Sequence, residues 1–358
     1  MKVSQEELIN RAEKAIRACL DGVPFLKIKE VSKERLKGTA QTDLLIQPDL
    51  LIQVVSPSGT RNLIFEAKTS GQPRLAREAI YQMLRYREAM PNAYGVFLAP
   101  YVSPKTAQIC ADEGVGYVDL SGNCRLCFGE VYIEKAGRPN KFTEKRGLRS
   151  LFSPKATRIL RVLLNDPKVA WKVAKLAEES DVSLGQVTKV KKLLADREWI
   201  RKVAQGIELS DPRELLAEWT ENYTYRANEV LDYYSMQTIS EIEASLASVC
   251  GGRRVDYALT GFSGAARFAP AVRFQRLMAY VSGITEEIET DLKLKRVTTG
   301  ANVSLLIPYD EGVYYGAKVF EGVRVVSPIQ LYLDLKGYRG RGEEAAEALL
   351  ERVILPSW

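Results

Sequence analysis

Apolar and polar positions change period along the chain, and each change marks a new kind of element. Over residues 4–20, Leu8, Ala12, Ala15, Ile16, Ala18 and Cys19 recur at helical spacing and predict an amphipathic helix. Residues 25–31 alternate weakly and predict a strand. Leu50, Ile52 and Val54 then alternate with Asp49, Leu51 and Gln53. After Ser56-Pro57-Ser58-Gly59-Thr60, Leu63, Phe65 and Ala67 alternate with Ile64, Glu66 and Lys68, so strands 49–55 and 61–68 form an antiparallel hairpin. With Pro57 to Thr60 as its loop, Ser56 faces Arg61 and Asp49 faces Lys68, with Glu66 the diagonal neighbour of Asp49. Two carboxylates and an ammonium then share one face, while Leu50, Ile52, Val54, Leu63 and Phe65 line the other.

The alternation continues as α/β. A helix over 74–90 lies between Pro73 and Pro91 and carries Gln82 and Tyr86, four apart on one face. Residues 94–98 predict a buried strand, and Ser103-Pro104 caps a helix running to about Glu113. Strands follow at 116–120, 124–128 and 130–135, giving a mixed sheet. Gly137-Arg138-Pro139-Asn140 ends this domain, and Lys141 to Arg149 is a basic linker. From Ser153 the period is helical: one helix stops before Asp166-Pro167, a second spans about 171–179, and a third is capped by Ser183 and ends near Asp196. In the third, Leu184, Val187, Val190, Leu193 and Leu194 point inward, leaving Ser183, Gln186, Thr188, Lys189 and Lys192 outward. Trp199 to Val203, which includes Arg201 and Lys202, turns at Gln205-Gly206 and returns as Ile207-Glu208-Leu209. Beyond it the pattern predicts a helix around 226–248, strands at 275–281 and 302–307, and a solvated loop at Asp310-Glu311.

Composition narrows the classes. A chain of 358 residues, 46% hydrophobic and 27% charged, predicts two or three ordinary globular domains. Its first residues are acidic and helical rather than a signal peptide, and no apolar run approaches a membrane span, so a cytoplasmic protein is expected. There is no histidine, which excludes His-based triads, His-metal nucleases and Cys/His fingers. The five cysteines are scattered; Cys124-x-x-Cys127 lacks a second pair, so buried reduced thiols are expected. The net charge of +6 divides into +3 over 1–140, +8 over 141–210 and −5 over 211–358. The middle stretch is therefore the natural contact for an anionic polymer.

The hairpin charges have a chemistry. Hard cations such as Mg2+ or Mn2+ take carboxylate oxygens plus waters and substrate phosphates. Such a site hydrolyses phosphodiesters, with a lysine steadying the charge that develops. Pro48-Asp49, Glu66-Ala67-Lys68 and Gln82-x-x-x-Tyr86 resemble the PD-(D/E)xK nuclease superfamily, the last pair the motif of its RecB-type members. The resemblance covers about residues 1–140 and implies a restriction-endonuclease-like αβββαβ core. It also implies Asp49 and Glu66 as metal ligands, Lys68 as the catalytic lysine, and Gln82 and Tyr86 as supporting residues. Asp43-Leu-Leu-Ile-Gln nearly repeats Asp49-Leu-Leu-Ile-Gln, but Asp43 lies beyond the partner strand, so register favours Asp49.

Residues 151–212 resemble a winged helix-turn-helix, implying a grip on double-stranded DNA through Ser183, Gln186, Thr188, Lys189, Lys192, Arg201 and Lys202. Leu259-Thr260-Gly261, with Ala265-Ala266 following, and the Pro-x-Gln-Leu-Tyr-x-Asp-Leu ending resemble the AbiEi-type antitoxin and transcriptional-regulator family. That implies a C-terminal α/β domain related to nucleotidyltransferases. The strand Gln275 to Val281 carries no carboxylate, so no transfer reaction is expected, and Gly261 and Ser263 should shape a turn. The expected organisation is a nuclease-like domain over 1–140, linker and winged helix over 141–224, and the AbiEi-type domain over 225–358. Two functions compete: a metal-dependent deoxyribonuclease aimed by the winged helix, and a non-catalytic regulator or antitoxin with a relic nuclease fold. A structure-specific binder without cleavage is a third. A homodimer and a toxin partner fit either of the first two, and no membrane contact is expected.

Overall fold

The computed structural model describes residues 4–20, 23–32, 36–37, 45–90, 92–142, 150–338 and 340–358. Asp43, most of the basic linker and Arg339 lie outside them. The chain divides into two compact units, Met1–Lys145 with Asp196–Glu198, and Arg146–Ala195 with Trp199–Trp358.

The first unit begins with α1 (Gln5–Leu20), β1 (Lys27–Ser32), β2 (Leu36–Lys37), β3 (Leu45–Ile46), β4 (Leu50–Ser56) and β5 (Gly59–Ala67). It continues with α2 (Pro73–Ala89), β6 (Ala93–Ala99), α3 (Pro104–Asp112), β7 (Gly116–Asp119), β8 (Cys124–Phe128) and β9 (Val131–Lys135). One seven-stranded sheet runs β1-β4-β5-β6-β7-β8-β9, with β2 and β3 paired apart from it. Along this sheet the order α1-β1-β4-β5-α2-β6 follows the expected αβββαβ succession. The pairs β5–β6 and β6–β7 are parallel and the others antiparallel. Parallel strands need both faces covered, and here they are. Leu50, Ile52, Val54, Leu63 and Phe65 pack under α1 residues Leu8, Ala12 and Ile16. On the opposite face Ala76, Ala79, Ile80 and Met83 of α2 meet Phe97 and Tyr117. The alternation read from 49–68 thus sorts the two faces as expected.

Two connections in this unit are sterically fixed. Gly59 closes the β4–β5 turn at φ +117°, a conformation side chains rarely adopt. Gly71, between β5 and α2, bridges Val102, and a Cβ there would fall 1.8 Å from the Tyr101 carbonyl oxygen. The chain that carries Lys68 toward α2 is therefore seated directly against the end of β6. Cys19 and Cys124 are joined as a disulfide, contrary to the expected reduced thiols, whereas Cys110 and Cys250 are buried and free. A sequence separation of 105 hides such a pairing from any local reading.

The second unit opens with α4 (Pro154–Asn165), α5 (Val173–Glu179), α6 (Leu184–Asp196) and the hairpin β10 (Ile200–Val203) and β11 (Gly206–Leu209). Trp171 and Ile207 exchange backbone hydrogen bonds of 2.7 and 2.9 Å, adding a bridge on the edge of the hairpin. Val187, Val190 and Leu194 are buried, but Leu184 is 56% exposed and not inward. At 100° per residue it sits nearly a quarter turn from that stripe.

After α7 (Pro212–Glu221), a second seven-stranded sheet contains β12 (Glu229–Tyr234), β13 (Tyr257–Thr260), β14 (Leu277–Val281) and β15 (Lys295–Arg296). Its remaining strands are β16 (Val303–Ile307), β17 (Lys318–Phe320) and β18 (Val323–Val325). The helix expected at 226–248 is instead strand β12 followed by α8 (Ile239–Arg253). Pairing of β12 with β16, from Glu229–Ile307 to Tyr233–Val303, decides the matter from far along the chain. One apolar core runs from Leu151 to Ile354, so the three helices, the hairpin and the second sheet share it. Among the described residues no helix is long and apolar enough to cross a membrane.

Candidate functional site

The site is built where β4 begins and β5 ends. The hairpin pairs Ser56 with Gly59 and Leu50 with Phe65, a register two residues tighter than expected, because only Pro57 and Ser58 form the loop. Asp49 therefore stands level with Glu66 rather than Lys68. A slip of two keeps every side chain on its face, so the charged cluster survives the correction. Asp49 donates its amide to the Phe65 carbonyl at 3.1 Å. Its Oδ2 accepts the Ala67 amide at 2.8 Å, and its Oδ1 accepts Gln5 Nε2 of α1 at 3.0 Å. Gln5 has no short-range signal in the sequence, since 44 residues separate it from its partner.

Glu66 is the unusual member. It is 2% exposed, and its Oε1 has no hydrogen-bond partner. Burial, then the nearby Asp49 carboxylate, push its pKa up to about 7, against the pull of the Tyr86 hydroxyl and the Lys68 ammonium. Lys68 Nζ lies 3.9 Å from Glu66 Oε2 and is 25% exposed, so the ammonium stands between the buried carboxylate and solvent. Lys68 is held by its own amide, which donates to the Leu98 carbonyl at 2.9 Å.

Gln82 and Tyr86 complete the wall from α2. Gln82 Nε2 donates to Tyr86 Oη at 2.9 Å, and Tyr86 Oη donates to the Gln47 carbonyl at 3.3 Å, just ahead of Asp49. Burial, then the Glu66 charge, raise the Tyr86 hydroxyl to about 12, so it stays a proton donor at neutral pH. The five residues expected to act together are thus brought together. Among the described residues no group of three or more His, Cys, Asp or Glu forms. Two carboxylates nonetheless match a hard cation that completes its shell with water and phosphate oxygen. An unpartnered buried oxygen beside a second carboxylate is the arrangement a divalent cation relieves.

The second expected set lies on and beside α6 in the other unit. Ser183, Thr188, Lys189, Lys192, Arg201 and Lys202 are exposed and Gln186 half-buried. Some of their polar capacity is used internally. Ser183 Oγ caps the Gln186 amide at 3.2 Å, Thr188 Oγ1 donates to the Leu184 carbonyl at 2.9 Å, and Arg201 pairs with Glu208 at 2.8 Å. Elsewhere in this unit Asp310 is buried and held by Arg158 at 2.9 Å, not solvated as expected. Arg341 pairs with Glu344, three residues on, at 2.9 Å. Where a turn is expected, Gly261, at φ +58°, opens a short helix over Gly261–Ala265, and Ser263 donates to the Thr260 carbonyl at 3.0 Å.

A family model described as transcriptional regulator, AbiEi antitoxin of a type IV toxin–antitoxin system, matches residues 208–355. Among solved structures, a repair endonuclease from Pyrococcus abyssi is 17% identical over 33% of this chain and 46% of its own, with a TM-score of 0.23. EndoMS in its apo form is 16% identical over 31% of this chain and 45% of its own, with a TM-score of 0.21. The chain spans less than half the length of either, and overlays of that size assign no fold. No curated protein matches. The C-terminal part thus resembles antitoxin regulators, and the N-terminal site stands on its own geometry.

Proposed function

We propose that this protein binds double-stranded DNA through residues 151–212, folded as a winged helix, and hydrolyses phosphodiesters at Asp49, Glu66 and Lys68. The observation that carries the hydrolytic half is Glu66: a buried carboxylate, one oxygen unpartnered, beside Asp49 and capped by Lys68. Structural carboxylates in a core are normally satisfied. One left raised and unpartnered next to a second carboxylate is a site held ready for a ligand.

Asp49 and Glu66 would hold Mg2+ or Mn2+. When bound, that ion supplies a Lewis acid that makes water a nucleophile near neutral pH and offsets charge on the scissile phosphate. Gln5 and the Ala67 amide fix the Asp49 carboxylate from two sides, so it does not rotate as the substrate arrives. Lys68 donates toward phosphate oxygens whose charge grows only as water attacks, so it acts chiefly in the transition state. Gln82 and Tyr86 are positioning residues: they hold the Gln47 carbonyl and so the backbone entering Asp49. In the other unit, Lys189, Lys192 and Lys202 supply phosphate contacts, and Gln186 and the exposed Leu184 reach base edges.

The test is cleavage of plasmid, linear and branched DNA in Mg2+ and in Mn2+. Wild type should cut, Asp49→Asn should not, and Lys68→Ala should retain duplex affinity while losing about 100-fold or more in turnover. Tight binding with no cut on any substrate overturns the hydrolytic half.

A second reading is favoured by the family match over 208–355. The protein would then be a DNA-binding regulator of the antitoxin type, with a toxin as partner and a homodimer on a two-fold site. Binding to the DNA upstream of its own gene, without cleavage, is the outcome that reading expects.

A further inference from the structure

Helix α1 does more than cover the sheet. At one end Gln5 bonds Asp49; at the other Cys19 is tied to Cys124 of β8, and Lys135 Nζ donates to the Ala18 carbonyl at 2.8 Å. From residue 5 to residue 19 a helix rises about 21 Å. From β4 to β8 is four strand spacings, about 19 Å. Helix α1 therefore lies across the same end of the sheet that carries the carboxylate pair.

Along the middle and end of α1 that edge opens into a cleft of about 560 Å3. Arg11, Lys14, Lys135, Arg138 and Lys141 line it, and Asp119 is the one carboxylate among its lining residues. Asp119 is turned inward and saturated: it accepts Val102 N at 3.1 Å, Gly122 N at 2.7 Å, and Asn123 N and Nδ2 at 2.8 Å each. These donors fix it in the β7–β8 turn, so five cations stand against one carboxylate in the lining. Lys14, Arg138 and Lys141 form no ion pair with any described carboxylate. Arg11 pairs with the exposed Glu7 at 3.3 Å and stacks over the Phe142 ring at 5.2 Å. A concave surface with this imbalance focuses a positive field and concentrates polyanions.

We propose that this cleft carries the phosphate backbone of a nucleic-acid strand leading into or out of the Asp49–Glu66–Lys68 site. It rests on the hydrolytic reading above for its destination but not for its chemistry. The cleft begins about 8 Å along α1 from Gln5, so phosphates next to the scissile one come first to Arg11 and Lys14, and later ones to Arg138 and Lys141. The contacts are charge on phosphate and carry no base selectivity. Nothing in the chain's family match touches these residues.

The experiment uses the full-length protein with Lys189→Ala and Lys192→Ala already present, so that binding by α6 is weakened in every sample. Labelled short single strands and duplexes are titrated in EDTA at several salt concentrations, comparing this background with Lys14→Glu plus Arg138→Glu. The charge reversal should weaken binding about 10-fold or more and lower the salt slope by about 2, one for each lost contact. Lys14→Arg with Arg138→Lys should restore it. If the reversal lowers the melting temperature, Lys14→Ala with Arg138→Ala is read instead, with the same direction expected. Unchanged affinity and slope overturn the proposal, as does inorganic phosphate binding there while strands do not. Loss of strand binding in a protein that cuts no DNA leaves the cleft and removes the nuclease. Normal cleavage and binding after the charge reversal does the reverse.

Discussion

Glu66 sets a pH dependence whose sign can be worked out. Its folded pKa is raised to about 7 from an ordinary 4.5, so the folded state holds a proton that the unfolded chain has already released. Stability is then fullest below about pH 4.5 and falls as pH rises toward 7, by about 3 kcal/mol over the window. Chemical denaturation at pH 5 and pH 7.5 should show this loss, and Glu66→Gln should abolish it while stabilising the protein at the upper pH. A wild type with the same stability at both values would mean Glu66 is not strained. If Mn2+ binds at Asp49 and Glu66, it should restore the loss at pH 7.5 and, below about pH 7 where Glu66 holds its proton, release that proton, visible by calorimetry in two buffers of different ionisation enthalpy. At this scale the sequence was informative. Asp49, Glu66, Lys68, Gln82 and Tyr86 could be chosen because strand period and helix period each place them on one face. Gln5 and the Cys19–Cys124 pairing could not, because only the folded chain brings them near.

At the scale of elements, periodicity located most helices and strands within a few residues and failed where pairing is long-range. The β4–β5 pairing is two residues tighter than the alternation predicts because only Pro57 and Ser58, closed by Gly59, form the loop. In strand β12, Glu229-Val-Leu-Asp-Tyr-Tyr has no clean alternation, so local period does not separate it from the helix that follows. Its state is settled by β16, and by Arg276 holding Asp232 at 2.5 Å. The hairpin after α6 shows how tightly one element depends on another. Gly206 sits at φ +151°, and a Cβ there would lie 2.2 Å from the Trp171 carbonyl oxygen. Gly206→Ala should therefore break the Trp171–Ile207 bridge and cost about 2 kcal/mol or more. Denaturant melts would register it, and DNA affinity should fall with the displaced Arg201 and Lys202. A variant that melts and binds as wild type would place the hairpin outside the DNA contact. Lys189→Ala with Lys192→Ala should weaken all duplexes alike and lower the salt slope by about 2, whereas Gln186→Ala should reduce discrimination between sequences.

For the molecule as a whole, the sequence suggested a boundary near residue 224, and the proposed domains over 141–224 and 225–358 share one apolar core. A polar network joins them as well. Arg161 of α4, 1% exposed, donates to Gln330 Oε1 at 2.6 and 3.1 Å and lies over the Trp219 ring at 5.1 Å. Gln330 Nε2 in turn donates to Asp334 Oδ1 at 3.0 Å. Asp334, fully buried, also accepts Tyr223 Oη at 2.6 Å, Tyr280 Oη at 3.0 Å and Thr260 Oγ1 at 2.5 Å. Burial raises its pKa, and these donors draw it back. The Pro-x-Gln-Leu-Tyr-x-Asp-Leu ending, legible as a family feature, is thus the polar joint between the helical module and the second sheet. A buried network is strong when every member is satisfied and costly when one is removed. Asp334→Ala removes the shared acceptor of Thr260 Oγ1, Tyr223 Oη, Tyr280 Oη and Gln330 Nε2; the last three keep contacts with one another, and Thr260 Oγ1 loses its acceptor. The substitution should lower stability by about 3 kcal/mol, roughly 6–12 °C in Tm for a unit of this size. Calorimetry should show the helical module and the second sheet still melting as one transition, moved down together, with duplex binding lost at the same temperature. If Asp334→Ala lowers only the second sheet and leaves the helices and their DNA binding at the wild-type temperature, the joint is not what couples them, and 141–224 is a domain in its own right.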